Sequence, residues 1–184
     1  MFSNFHSIHE YKSLYIHIPF CRKICPFCSF AVRRDRPSAH QDYIISVVKE
    51  MDFVLGDKSG KKPLLESIYF GGGTPSCLTV EELEFLLKGI RKHYNLSYDI
   101  EITLECNPED VNQKVVHGWK KLGINRFSLG GQSFQDSLLN KLGRVHGSEQ
   151  LLIAIDCFQQ QQVKNWNLDL MFGIPSQKLN DFEK

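Results

Sequence analysis

Short apolar runs alternate with amphipathic segments along nearly the whole chain, and that rhythm restricts the fold more than any other feature. Leu14 to Ile18, Leu65 to Phe70, Asp99 to Leu104, Asn125 to Leu129 and Asn165 to Phe172 read as five buried strands. The first helix opens at Ser38-Ala39-His40-Gln41, which has the form of a capping box, and puts Tyr43, Ile44, Val47, Val48 and Met51 on one face. Thr79 with Glu82 makes a second box, ahead of Leu83, Leu86, Leu87 and Ile90. Val111 to Lys121 is a third helix. Ser148 caps a fourth, with Leu151, Leu152, Ile155 and Phe158 on its inner side, and Asp181-Phe182-Glu183 begins another. Strands that alternate with helices mean βαβ units, hence an α/β fold with a parallel sheet. Right-handed crossovers then bring every strand's C-terminus to one edge, where such folds bind ligands.

The polar and glycine-rich segments all fall at that edge. Cys21 to Cys28 follows the first strand, Gly71-Gly72-Gly73-Thr74-Pro75 the second and Gln132 the fourth, while Glu105 and Asp169 lie at the ends of the third and fifth. The 184 residues suffice for one domain that buries roughly 70% of its unfolded surface. A formal net charge of +1 excludes a nucleic-acid or membrane surface held by bulk charge. The apolar runs are far shorter than the ~18 residues of a membrane span, and Met1 to Lys12 has no apolar export core. A reducing cytoplasm is therefore expected. In that setting six cysteines point to metal binding or redox chemistry rather than to disulfides.

Cys21-x3-Cys25-x2-Cys28 puts three thiols within eight residues. Thiolates are soft anionic donors suited to iron–sulfur clusters, and three of them leave one iron of a cube without a protein ligand. Two plainer readings compete. Structural zinc wants four ligands, usually as two pairs, and Cys77, Cys106 and Cys157 offer no second C-x2-C. A thioredoxin-like dithiol would use Cys25-Pro26-Phe27-Cys28 to open a helix. The glycine segment is no P-loop, because no Gly-Lys-Ser/Thr follows, and alone it signals only a tight turn. Alone, Glu105 reads as a solvated strand end and His17 as a satisfied strand histidine. Asp169 within an apolar strand is more informative, since an unpaired buried charge is costly.

The segment Leu14-Tyr15-Ile16-His17-Ile18-Pro19-Phe20-Cys21-x3-Cys25-Pro26-Phe27-Cys28-Ser29-Phe30 resembles the cluster motif of oxygen-independent coproporphyrinogen III oxidases and of their relatives, the radical S-adenosylmethionine (SAM) haem chaperones. The resemblance runs over essentially the whole chain. It implies a partial (β/α) barrel with about five of six strands, a [4Fe–4S] cluster on Cys21, Cys25 and Cys28, and SAM on the open iron. Reductive cleavage of SAM to a 5′-deoxyadenosyl radical is the chemistry implied. Tyr15, Phe27, Gly72, Gly73, Thr74, Glu105, Gln132, Arg144 and Asp169 match cofactor-contacting positions of the family. Haem or a porphyrinogen, a flavodoxin- or ferredoxin-type electron donor and a client haem protein are the implied partners.

Oxidases of the family carry a further cysteine two positions after the third, where this chain has Phe30, and a longer N-terminal extension. Both differences point to the haem-chaperone branch, with haem as a further ligand. Coproporphyrinogen decarboxylation is the alternative, and a non-catalytic remnant keeping a cluster or SAM site is a third. Two departures stand out. Gly131 replaces the small branched residue usual before Gln-Ser-Phe, which is expected to loosen Gln132. Relatives also continue beyond the fifth strand, so residues 1–184 are expected to be a radical SAM core shortened on its C-terminal side, with an uncovered strand edge.

Overall fold

The computed structural model describes residues 11–55 and 62–182. Strands β1 (Ser13–Ile18), β4 (Leu64–Gly72), β5 (Asn95–Cys106), β6 (Arg126–Gln132) and β7 (Trp166–Leu170) form one parallel sheet, their spatial order matching their chain order. All five expected strands are present. Two short strands, β2 (Phe20–Cys21) and β3 (Arg33–Arg34), make a separate parallel pair within the segment expected to be loop. The helices are α1 (His40–Leu55), α2 (Val80–His93), α3 (Gln113–Lys121), α4 (Asp136–Lys141) and α5 (Ser148–Gln160).

The period of two along each strand divides the sheet into two unlike faces. Ile16, Ile18, Leu65, Ile68, Phe70, Ile102, Leu104, Phe127 and Leu129 pack with Leu83, Leu86, Leu87, Ile90, Val116, Trp119, Leu151 and Phe158 of the helices in one buried core. The intervening positions are polar or aromatic. Tyr15 pairs with Tyr69, Tyr69 with Thr103, Thr103 with Arg126, and Glu105 with Ser128. The parallel register carries this second face to the edge where Ile18, Gly72, Cys106, Gln132 and Leu170 end their strands.

Helix starts follow the sequence in part. Thr79 and Glu82 form the expected capping box: Glu82 N–H donates to Thr79 Oγ1 (3.2 Å) and Thr79 N–H to Glu82 Oε2 (2.8 Å). Ser38 caps nothing. It lies in a 3-10 turn, Pro37–Ala39, where Ala39 N–H is already satisfied by Arg36 O. Ser148 is the first residue of α5 rather than its cap. Gly147 holds the cap position, and Asp136 Oδ1 accepts from Ser148 N–H at 2.7 Å. Leu151, Ala154, Cys157 and Phe158 make the inner face of α5, which leaves Leu152 on the flank, 56% exposed. No periodic pattern announces α4, which at six residues is too short to display one. Leu179–Asp181 is a single 3-10 turn in place of the helix start, and Glu183 lies outside the described residues, as does most of the polar leading segment. Among the described residues β7 is an uncovered edge, and Phe172 (84%) and Leu179 (73%) beyond it are exposed.

Candidate cluster and cofactor site

The cysteine loop is clamped at its base. β2 pairs with β3, Arg33 N–H donates to Pro19 O and Asp35 N–H to Cys21 O, each at 2.8 Å. Phe20 anchors the loop in the core, edge-on to Tyr43. At the tip, Cys28 N–H donates to Cys25 O at 3.0 Å, closing a turn with Pro26 at its second position, which proline's fixed φ favours. This is a turn and not the start of a helix, and the sheet beside it is wholly parallel, so the dithiol-oxidoreductase reading loses its structural context.

Cys21, Cys25 and Cys28 line a single cleft of about 280 Å³ at the C-terminal edge of the sheet. Cys21 and Cys25 are buried, and Cys28 is half-buried. Burial pushes the Cys21 thiol up, against the hydrogen bond from Thr74 Oγ1 (3.6 Å), and the neighbouring Cys28 and Cys25 push the same way as burial. Arg144 Nη1 reaches Cys25 Sγ at 3.7 Å, while its Nη2 donates to Asn107 Oδ1 (2.6 Å) and Gly130 O (3.0 Å). Two sulfurs are thus met by donors from outside the loop.

The glycine segment lets β4 approach that loop. Gly73 N–H donates to Ile18 O at 2.8 Å, and a Cβ on Gly73 would sit 2.7 Å from Phe20 O and 2.9 Å from Cys21 Sγ. Gly72 has φ +118°, and its N–H donates to Glu105 Oε2 at 3.0 Å. Tyr69 Oη donates to Glu105 Oε1 at 2.8 Å. Burial raises the Glu105 carboxyl above its ordinary range despite these two donors. Across the cleft Asp169 accepts from Ser128 Oγ (2.9 Å) and Asn167 Nδ2 (2.7 Å). Asp169 is exposed, so it owes its place in the strand to the polar face and not to a buried partner; the expectation of a buried charge is corrected.

Of the nine residues matched to cofactor positions, eight line this cleft, and Tyr15 does not. Tyr15 instead stacks on Tyr69 with ring centroids 6.0 Å apart, and so backs the residue that orients Glu105. Gln132 has φ +66°, a left-handed conformation rare outside glycine, where the register of β6 on β7 shifts. Gly131 does not loosen it. A Cβ there would lie 2.6 Å from Leu168 and 3.0 Å from Leu151, so these side chains already fill the space. His17 is satisfied by Ala31 O (2.8 Å) and Tyr15 Oη (3.1 Å), and buried His146 by Glu109 and Gly131 O.

Two groups at the site carried no sequence reading of their own. Asn107 holds Arg144 and accepts nothing else from the cleft, while its Nδ2 donates to Thr74 and Glu109 (3.3 Å each). The one available signal was its place beside Glu105 at a strand end. Asp110 is the second: it accepts from Arg22 Nε (2.9 Å) and Nη2 (2.5 Å) and from Ser76 Oγ (2.7 Å), tying the cysteine loop to the turns after β4 and β5.

Comparison with known proteins bears on this arrangement. Residues 15–184 match the profile described as the Radical SAM superfamily. The heme chaperone HemW of Haemophilus influenzae is 41% identical over 174 residues, 92% of this chain and 45% of that protein. An oxygen-independent coproporphyrinogen III oxidase of Synechocystis is 33% identical, over 94% of this chain and 37% of its own length. The solved structure of coproporphyrinogen III oxidase from Escherichia coli superposes with a TM-score of 0.82 at 27% identity, covering 93% of this chain and 39% of that one. The chain spans less than half the length of these relatives.

Proposed function

The chain belongs to the radical SAM superfamily, and on that premise we propose that it holds a [4Fe–4S] cluster on Cys21, Cys25 and Cys28 and binds SAM in the adjoining cleft in the service of haem delivery. The carrying observation is the convergence of three cysteines from one loop with Gly72, Gly73, Glu105, Arg144 and Asp169 in one cleft.

The residues suit these groups. The donors are soft thiols, and Gly73 leaves no room for a side chain between β4 and Cys21. Arg144 Nε is buried with no partner among the described residues, an N–H left available for an acceptor. When bound, the cluster supplies one electron to the sulfonium of SAM. Thr74 donates to Cys21 Sγ and Arg144 to Cys25 Sγ, which orients both sulfurs toward the cleft they line. Arg144 stands on the cluster side of the cleft, apt for a carboxylate. Glu105 and Asp169 stand as acceptors for an ammonium or ribose hydroxyls, each fixed by two donors. The dry core beneath the sheet keeps water from that side.

The identity to a heme chaperone supports the delivery role, and the six free cysteines accord with a reducing cytoplasm. The match to an oxidase structure supports a second reading, decarboxylation of coproporphyrinogen III. Anaerobic reconstitution should give about four irons per chain, lost in Cys25→Ala. A haem titration and a coproporphyrinogen turnover assay on the same sample then separate the two roles. Binding without turnover supports delivery, turnover supports the oxidase, and silence in both with iron retained overturns both in favour of a non-catalytic remnant. A chain that takes up no iron overturns the cluster assignment itself.

A further inference from the structure

A second constellation of potential ligands lies on the far side of Cys21, outside the cleft. Asp35 follows β3, His40 opens α1, and Cys77 ends the 3-10 turn after β4. One donor atom of each lies within 4.8 Å of the other two. His40 is 3% exposed and Asp35 13% at their side chains, and Cys77 is half-buried. We propose that Asp35, His40 and Cys77 form a three-ligand mononuclear zinc site, open at its fourth position, beside the cluster loop.

The ring orientation supports this. His40 Nε2 is 2.7 Å from Asp35 Oδ1, while Nδ1 faces Glu82 Oε2 at 3.3 Å. Metal-bound histidines commonly pass their other ring N–H to a carboxylate, which fixes the ring and raises its basicity. Glu82 is well placed for that, because the capping box already holds its Oε2 against Thr79 N–H. The metal-bound nitrogen is then Nε2, which already faces Asp35. Carboxylate, imidazole and thiolate are together a donor set zinc accepts. Ligands about 2.0–2.3 Å from zinc lie roughly 3.3–3.8 Å from one another in a tetrahedron. Cys77 Sγ, within 4.8 Å of the other two donors, must draw in by up to about 1 Å, while Nε2 and Oδ1, now 2.7 Å apart, must part by about 0.6 Å, both within reach of side-chain rotation at Asp35 and Cys77. Binding releases the Cys77 thiol proton, His40 binds through the Nε2 lone pair with its ring proton on Nδ1, and water completes the fourth position.

The site has a structural consequence. Asp35 N–H donates to Cys21 O, and Phe20 packs on the His40 ring with centroids 4.6 Å apart. An ion here would tie β3, α1 and the turn after β4 around the first cluster ligand. Cys77 forms no close pair with another cysteine, and its partners come from elsewhere in the chain.

The test uses the full chain with Cys21, Cys25 and Cys28 changed to Ser, which removes the competing thiolates. Cobalt(II), added anaerobically, should give one equivalent of thiolate-to-cobalt charge-transfer absorption, displaced by zinc. Cys77→Ser on this background should abolish the band. Glu82→Gln should weaken binding roughly 10–100-fold while keeping the helix cap, because glutamine still accepts from Thr79 N–H. If the background protein does not fold, zinc analysis of the cluster-loaded wild type serves instead: one zinc per chain is expected, and none in Cys77→Ser. Absence of the band in a folded background, a band that survives Cys77→Ser, or a cluster-loaded chain without zinc overturns the proposal.

Discussion

Gly73 lies hard against the cysteine loop, and replacing it with alanine tests how tightly the cluster motif and the glycine segment depend on each other. A Cβ at Gly73 would meet Phe20 O at 2.7 Å, Pro19 C at 2.9 Å and Cys21 Sγ at 2.9 Å, whereas ordinary contact begins at 3.4 Å. Two of these atoms are backbone, so no rotamer change relieves them, and β2 must retreat by about 0.7 Å. Overpacking of this kind destabilises by about 1–3 kcal/mol. Gly73 has an ordinary φ, so alanine also recovers about 0.4–1 kcal/mol from the unfolded state, leaving a net loss of about 1–2 kcal/mol. Gly173→Ala is the matched control: its Cβ meets nothing within 4 Å, but φ is +74°, so its loss of about 1–2 kcal/mol comes from backbone strain alone. Urea unfolding of the metal-free chains should therefore show similar losses for the two variants. Iron content after anaerobic reconstitution should fall only in Gly73→Ala, because only there is Cys21 displaced. Full iron uptake and an unchanged urea midpoint in Gly73→Ala would refute the claim that this contact sets the loop.

Arg22→Ala should destabilise the chain by about 1–3 kcal/mol, since it strands the Asp110 carboxylate, only 2% exposed, with Ser76 as its remaining side-chain donor; Arg22 itself is half exposed, which places the effect at the lower end. Asp110→Asn added to Arg22→Ala should recover part of that loss in urea midpoints, and no recovery would mean the charge was not the cause. Burial raises the Glu109 carboxyl, but its hydrogen bond with His146, a local backbone bond and the Arg144 and His146 charges outweigh it and hold it below the usual range. The folded state then favours ionised Glu109, so its contribution is complete above the unfolded value of about 4.3 and is lost as pH falls through the folded value. The difference in urea midpoint between wild type and Glu109→Gln should shrink on going from neutral pH to below about pH 4, and a gap independent of pH would remove this account.

The strands and the cleft were legible because both follow from local pattern. Apolar runs such as Leu65 to Phe70 are long enough to announce themselves, and a parallel sheet must bring their ends to one edge. Strand ends therefore located Gly72, Glu105, Gln132 and Asp169 together without any tertiary information. What the pattern could not supply was pairing across the sheet. The family resemblance puts Tyr15 among the cofactor contacts, yet its register partner is Tyr69, which takes the position facing Glu105. Asn107, Asp110 and Arg22 act through partners distant in sequence, and single polar residues in turns carry no period that would mark them. The cap at Ser38 failed for a local reason: Pro37 begins a tighter turn that satisfies the backbone before a serine side chain is needed.

Gly131 shows why the same residue type misleads in one place and informs in another. Gly73 and Gly131 each lie beside a strand end, and each reads in sequence as a point of freedom. In the fold neither is free. The space above Gly73 belongs to Phe20 O and Cys21 Sγ, and that above Gly131 to Leu168 on β7 and Leu151 on α5. A glycine next to a site is informative through whatever occupies the volume of its absent side chain, and here the occupants differ in kind. At Gly73 they are the ligand loop itself, so the glycine bears on cluster assembly. At Gly131 they are core side chains, so a larger residue there would push β7, and with it Asp169, before it reached the cleft. The site is thus sensitive to packing on the helix-covered side of the sheet as well as to the polar residues that line it.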